Sequence, residues 1–153
     1  MNKKITVKDL RDLKGKKKLV SILVKNVDEA KAAHKVGFEM LATGSPGVYL
    51  NPDNHPEFEE IIEIRKTAPN AFMHWGAADT LYSGLIEATR VAFKALEYGI
   101  DMFYCHNNFE LIRGLYKEGI PGLGHVGLVP SRRTWTGGFK AVGKNSNEAM
   151  LIY

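Results

Sequence analysis

The sequence holds a single cysteine, Cys105, among 153 residues. One thiol forms no internal disulfide, and the paired Cys and His spacings of a structural zinc finger are missing, so neither a disulfide framework nor a zinc module accounts for the fold. No apolar run reaches the roughly 18–20 residues of a membrane-spanning helix. The opening Met1-Asn2-Lys3-Lys4-Ile5 also lacks the apolar centre of a secretory signal. The expectation is a cytoplasmic protein with no membrane partner. Compositional bias is lacking too. Hydrophobic residues make up 44% of the chain and charged residues 25%, which argues against disorder and against fibrous repeats. The length suits one domain over 1–153.

Charge of one sign is abundant only at the start. The net charge is +4, and Lys3, Lys4, Lys8, Arg11, Lys14, Lys16, Lys17 and Lys18 all fall early in the chain. Nucleic-acid arms usually interleave such cations with aromatic residues that stack on bases. Here Ile5, Val7, Leu10 and Leu13 recur at helical spacing instead. Residues 1–17 therefore read as a basic amphipathic cap, and no nucleic-acid partner is expected.

Beyond the cap, three stretches read alike, around Gly37, Gly99 and Gly119. In each a helix ends on glycine, which enters the left-handed conformation without a Cβ clash, and an apolar strand begins. The recurrence is that of a repeated β/α unit. Strands are expected at Leu19–Val24, Met40–Ala42, Ala71–Trp75, Met102–Cys105 and Gly122–His125. Asn26 with Glu29, Asn107 with Glu110 and Asn145 with Glu148 each place a capping side chain three residues before a carboxylate. Pro56 and Asp79 mark two further helix starts. Leu81, Leu85, Ala88, Ala92 and Leu96 fall on one face of a helix that covers a sheet. Because a helix follows each strand, the sheet is expected to be parallel with right-handed crossovers. Two architectures satisfy this pattern, a five-stranded open parallel sheet and a (β/α)8 barrel. Counting residues alone favours the open sheet, since a closed barrel takes about 250.

Either architecture binds ligands at the C-terminal ends of its strands. Three histidines, His74, His106 and His125, fall near three consecutive strand ends. Three imidazoles facing one point suit zinc, iron, copper or nickel, while the alternative is that they hydrogen-bond substrate or loop backbone. His34 and His55 read as surface residues. Thr43-Gly44-Ser45-Pro46-Gly47 is a short glycine-rich turn whose amides suit a carboxylate or phosphate. Trp135, Phe139, Lys140 and Lys144 surround Gly137-Gly138, where the basic residues suit an anion or simply form a solvated loop. Cys105, inside a strand, reads as a small core residue.

Gly119-Ile120-Pro121, then Gly124-His125-Val126-Gly127-Leu128-Val129-Pro130, then Gly137-Gly138-Phe139-Lys140-Ala141-Val142-Gly143-Lys144, together resemble a long motif of the ketopantoate hydroxymethyltransferases. The opening Lys4-Ile5-Thr6-Val7-Lys8-Asp9-Leu10 resembles that family's N-terminus as well. The resemblance implies a (β/α)8 barrel related to the phosphoenolpyruvate mutase and isocitrate lyase group, with about the first five β/α units present. It turns the choice of architecture towards the barrel. The apolar ending Ala149-Met150-Leu151-Ile152-Tyr153 reads as mid-pattern, which raises the expectation of a longer parent chain or of a homo-oligomer.

The resemblance also implies a reaction. A 2-oxo acid is deprotonated beside its carbonyl, the enolate is held against magnesium, and a one-carbon unit arrives from methylenetetrahydrofolate. Carried over by residue, Ser45 matches the serine that holds the 2-oxo acid and His125 the histidine that contacts it. Gly44 stands where the family has an aspartate, and Trp75 or Gly76 falls at the third-strand metal aspartate, with Asp79 a little farther on. Tyr104-Cys105-His106 stands for the fourth-strand Lys-Leu-Glu. The expected substrate-binding set is thus Ser45, His125, Gly44 and Lys140. A divalent metal is expected, magnesium by resemblance, or manganese, iron or zinc if His74, His106 and His125 bind it. The region that carries the family's proposed base lies beyond the fifth strand, so this chain alone is expected to be inactive in the family reaction. A carbon–carbon lyase or aldolase on a 2-oxo acid and a non-catalytic oligomeric binding protein remain as alternatives.

Overall fold

The computed structural model describes residues 3–44, 58–77, 82–105 and 108–153. A short helix α1 (Val7–Leu13) leads into β1 (Ser21–Leu23), α2 (Val27–Lys35), β2 (Met40–Gly44), α3 (Phe58–Thr67), β3 (Phe72–Gly76), α4 (Gly84–Glu97), β4 (Met102–Cys105), α5 (Phe109–Lys117) and β5 (Gly122–Gly124). A 3-10 turn at Pro130–Arg132, α6 (Arg133–Thr136) and α7 (Ser146–Ile152) follow. The strands lie in the order β1-β2-β3-β4-β5, and every neighbouring pair is parallel. A flavodoxin-type sheet would place its first strand between the second and third. Sequential order throughout is the winding of a barrel, so the chain forms the first five β/α units of a (β/α)8 barrel. Among the described residues β1 and β5 do not meet, and this segment of the barrel stands open.

The helix boundaries follow from the chemistry read in the sequence, with one displacement. Asn26 accepts a hydrogen bond from the Glu29 amide at 2.9 Å, and Asn145 does the same for Glu148 at 2.9 Å. At α5 the cap is Asn108, which accepts from the Leu111 amide, rather than Asn107. Asn107 itself lies outside the described residues. Gly37, Gly99 and Gly119 all take left-handed φ angles, 89°, 92° and 77°. Pro56, Asp79 and Leu81, expected near helix starts, lie outside the described residues.

In a parallel sheet paired residues point to the same side, and successive residues alternate sides. One side carries Leu41, Thr43, Met73, Trp75, Phe103 and Cys105, all buried. Against it pack Ala30 and Ala33 of α2, Ile61 and Ile64 of α3, Ala88, Ala92 and Ala95 of α4, and Leu111 and Leu115 of α5. Small residues on α4 bring that helix close to the strands. Leu85, expected on the same face, is instead 42% exposed and lies over Gly114 of α5, where an added Cβ would meet it at 2.4 Å.

The other side is the one a closed barrel turns inward. It carries Ser21 and Leu23 of β1, Met40, Ala42 and Gly44 of β2, Phe72, His74 and Gly76 of β3, Met102 and Tyr104 of β4, and Leu123 of β5. At the N-terminal end of this side, α1 lies across a cleft of about 670 Å³. Val7, Leu10 and Leu13 face Met40, Met102 and Leu123 there, with Ile112 and Tyr116 of α5 at the margin. The Thr6 capping box fixes where α1 begins.

One polar cluster ties this end together. Asp101 accepts from the Arg65 guanidinium at 2.8 Å and from the Met73 amide at 2.8 Å, and Lys4 approaches it at 2.6 Å. Arg65 also donates to the carbonyls of Gly99, Ala68, Pro69 and Ala71. Burial draws the guanidinium below its ordinary range, and the Asp101 carboxylate works against that shift. Among the described residues no helix is long and apolar enough to cross a membrane.

Candidate active site

The C-terminal ends of β2, β3, β4 and β5 form the edge where a barrel of this kind binds ligands. Three inner-face rows lead up to it, set by the strand register. The lowest joins Ala42, His74 and Met102, and the next joins Gly44, Gly76, Tyr104 and Leu123. His125, two residues beyond Leu123, belongs to the row above.

His74 was expected at a strand end, but β3 continues through Trp75 to Gly76, which puts the imidazole mid-strand on the inner face. Its Nε2 lies 3.1 Å from the Ser21 hydroxyl. Partial burial lowers its pKa from the ordinary 6.5, so the neutral ring is favoured. His125 sits four residues farther along the strand direction than the His74 row, about 13 Å at the rise of a strand. Its Nδ1 meets the Tyr104 hydroxyl at 2.5 Å, and the two rings lie 5.9 Å apart at 41°. His74 and His125 therefore have separate partners in separate rows. His106 and Ser45 lie outside the described residues.

Gly44 ends β2 with φ at 106°, a conformation that L side chains rarely adopt. A Cβ built there would meet the Gly76 carbonyl oxygen at 2.3 Å, Trp75 Cδ1 at 2.8 Å and the Gly76 nitrogen at 2.9 Å. At Gly76 an added Cβ would meet Tyr104 Cδ1 at 2.8 Å. The row is thus closed across its width, backbone on backbone and then ring on backbone. No carboxylate projects from position 44 or 76. Among the described residues, no group of three or more His, Cys, Asp or Glu side chains is placed to hold a metal ion. A hard cation such as magnesium needs oxygen ligands, and this row offers a phenol and an imidazole.

Lys140 is on the exposed loop after α6. There it helps, behind several hydrogen bonds from the backbone and Asn145, to hold the Glu148 carboxyl below its usual range. Trp135 and Phe139 beside it are exposed at 89% and 62%, and Arg133 stacks over the Phe139 ring at 5.6 Å. Cys105 is fully buried, and burial pushes its thiol up to about 12, which makes it a core residue and not a nucleophile. The Tyr104–His125 pair was missed from sequence. The signal for it is the alternation Met102/Tyr104 and Leu123/His125, with Tyr104 on β4 and His125 directly after the end of β5.

The protein named 3-methyl-2-oxobutanoate hydroxymethyltransferase from Thermus thermophilus is 32% identical to this chain over 96% of it, and that from Staphylothermus marinus 29% identical over 98%. The chain is a relative of the ketopantoate hydroxymethyltransferases. It spans 60% of the length of both of these proteins. No family model matches. Among solved structures, 2,3-dimethylmalate lyase, described as a member of the phosphoenolpyruvate mutase and isocitrate lyase superfamily, superposes with a TM-score of 0.57 at 16% identity. The match covers 78% of this chain and 52% of that one. Oxaloacetate acetylhydrolase superposes at 0.55 with 14% identity, covering 76% and 51%. At such identities the likeness is one of fold, and it agrees with the sequential strand order.

Proposed function

We propose that this chain is the 2-oxo-acid-binding part of an enzyme that works through an enolate, and that 3-methyl-2-oxobutanoate is its substrate. The observation that carries the reading is kinship over nearly the whole chain with enzymes named for that substrate. The inner face supports it, with an imidazole beside a phenol at the C-terminal edge of the strands. In this reading Ser45 and His125 hold the acid, the Gly44 turn admits its carboxylate, and Lys140 closes over it as a counter-charge. The chain acts in the cytoplasm and needs no nucleic acid or membrane.

The kinship implies a divalent-metal-dependent parent enzyme. When bound, such an ion stabilises the negative charge that develops on the enolate oxygen. In this chain the fit is poor at Gly44 and Gly76, which bring no ligand side chain and have no room for one. The chain's own residues orient the acid by hydrogen bonds and exclude water from its apolar side with Leu123 and Ala42. Methylenetetrahydrofolate as one-carbon donor belongs to the same reading. The second reading, a carbon–carbon lyase on a related 2-oxo acid, draws on the departures at positions 44, 76 and 104.

Titration of the full chain with 3-methyl-2-oxobutanoate, followed by calorimetry, tests the proposal. Saturable binding that weakens in His125→Asn supports it. Absence of binding at millimolar acid, with the protein folded by circular dichroism, would refute it. Hydroxymethyl transfer by this chain alone is expected to be undetectable.

We propose also that the chain self-associates, a second copy covering the cleft beside α1. The cleft is apolar, and Tyr116 on its rim is 69% exposed. The neighbouring edge of β5 is unpaired among the described residues, which invites association. Light scattering showing a monomer at micromolar concentration would remove this reading.

A further inference from the structure

We propose that Ser21 and His74 form a nucleophile–base pair on the inner face of the sheet, able to take the acyl group of a small carboxylic ester onto the Ser21 hydroxyl. The inference does not rest on the 2-oxo-acid reading above. It uses two side chains that lie below the strand-end rim, one on β1 and one on β3. Ser21 Oγ stands 3.1 Å from His74 Nε2, within the reach over which a positioned imidazole takes a proton from a hydroxyl. The bond crosses β2, from the row of Ser21, Met40 and Phe72 to the row of Leu23, Ala42 and His74. Ala42, level with His74, has only a methyl group to place in that span. Ser21 is exposed and His74 half-buried, so the hydroxyl is open to a ligand while the base is partly shielded. Burial keeps the imidazole in the neutral form that a base needs. Accepting at Nε2 puts its single proton on Nδ1, and the pair acts in that tautomer.

The step needs only the ester and water. As Ser21 Oγ bonds to the ester carbonyl carbon, its proton passes to His74 Nε2 and the carbonyl π electrons move onto the oxygen. Collapse of this adduct breaks the carbon–oxygen bond to the alcohol, which leaves with the proton from Nε2, and an acyl ester remains on Ser21. Water then attacks the same carbon and gives a proton to Nε2. The carboxylic acid departs and the proton returns to Ser21 Oγ. The neighbouring side chains Leu23, Met40, Ala42, Phe72 and Met102 on this face are apolar, which suits a short hydrocarbon acyl chain and gives no counter-charge to an anionic one.

The test incubates the full chain with p-nitrophenyl butyrate at neutral pH, follows release of p-nitrophenolate, and weighs the tryptic peptides of the quenched protein. Trypsin frees Leu19–Lys25, in which Ser21 carries the sole hydroxyl, and butyrylation of Lys25 instead would block the cut after it. The expected result is one butyryl group on this peptide in the wild type and none in Ser21→Ala. Acylation of the peptide is expected to be about a hundredfold slower in His74→Gln, the usual contribution of a general base. Ser21→Cys keeps the position with a stronger nucleophile and is expected to acylate faster than wild type. Circular dichroism checks that each variant is folded. Wild type and Ser21→Cys that are both folded and both free of butyryl at residue 21 would overturn the proposal, leaving the hydrogen bond as a tie between β1 and β3. Equal acylation rates in wild type and folded His74→Gln would overturn the role of His74 as base.

Discussion

Asp101 is the residue whose loss the fold should feel most. Its carboxylate joins three elements: the Arg65 side chain from α3, the Met73 amide of β3 and Lys4 of the N-terminal segment. Replacing Asp101 with alanine leaves the Met73 amide without its acceptor in a residue that is fully buried, a loss of about 1–3 kcal/mol. It also removes the counter-charge of Arg65, whose side chain is only 14% exposed. Breaking a buried pair from one side costs about 3–5 kcal/mol, and here the carbonyls of Gly99, Ala68, Pro69 and Ala71 still satisfy part of the guanidinium. The Lys4 pair, 36% exposed on the lysine side, adds at most about 1 kcal/mol. These terms overlap, and the expected total is about 3–5 kcal/mol.

Single domains hold about 5–15 kcal/mol of stability, so Asp101→Ala should sit near the edge of folding. With a urea dependence of about 2 kcal/mol per molar, its midpoint by far-ultraviolet circular dichroism should fall by about 2 M. Asp101→Asn separates the contributions. Its amide oxygen still accepts from Met73 while the charge is gone, and about half of the loss is expected. A midpoint for Asp101→Ala within about 0.3 M of wild type would refute the assignment of Asp101 as the tie between these elements. Equal losses in the two variants would refute the part given to the Met73 amide.

Two further outcomes follow from burial. Cys105, with its thiol raised to about 12, should resist alkylation by iodoacetamide at pH 8 in the native chain and react once urea unfolds it; rapid native labelling would contradict its place in the core. His74, with its pKa lowered by burial, binds fewer protons folded than unfolded below pH 6.5, so stability rises with pH through that window and is lost as pH falls. Urea midpoints of wild type and His74→Leu between pH 5 and pH 7 should diverge in slope, and parallel curves would contradict the shift.

The layer organisation was legible because it rests on local rules. Apolar runs located all five strands. Met102–Cys105 was placed to the residue, while Leu19–Val24 shrank to Ser21–Leu23 because a strand at the edge keeps only the residues that find a partner. Repeated glycines at 37, 99 and 119 marked the helix ends, since the left-handed turn there admits little else. Local rules faltered where two neighbours share one chemistry, as with Asn107 and Asn108. They also faltered where a strand outlasts its apolar run, as β3 does beyond Trp75, which moved His74 from the rim to mid-sheet. The choice between open sheet and barrel was not local at all. It was settled by strand order, which the sequence announces only through its family motif.

The Tyr104–His125 pair and the Arg65–Asp101 cluster were illegible for a different reason. Their partners lie 21 and 36 residues apart, and nothing in either stretch alone signals the other. What sequence did carry was the exchange of residue types at 44, 76 and 104. Read singly, each is an unconnected departure from the pattern that the family resemblance implies. Read in register, they lie side by side in one row, and each makes the next possible: Gly44 accepts the close approach of the Gly76 carbonyl, Gly76 accepts the Tyr104 ring, and Tyr104 reaches His125. Restoring a carboxylate at one position should therefore fail to restore a metal site. Gly44→Asp must both abandon a φ of 106° and push aside the backbone of β3, so its expected effect is loss of stability without gain of magnesium binding. Magnesium binding by a stable Gly44→Asp chain, measured by calorimetry, would mean that the three positions are independent and that the row is not a co-adapted set.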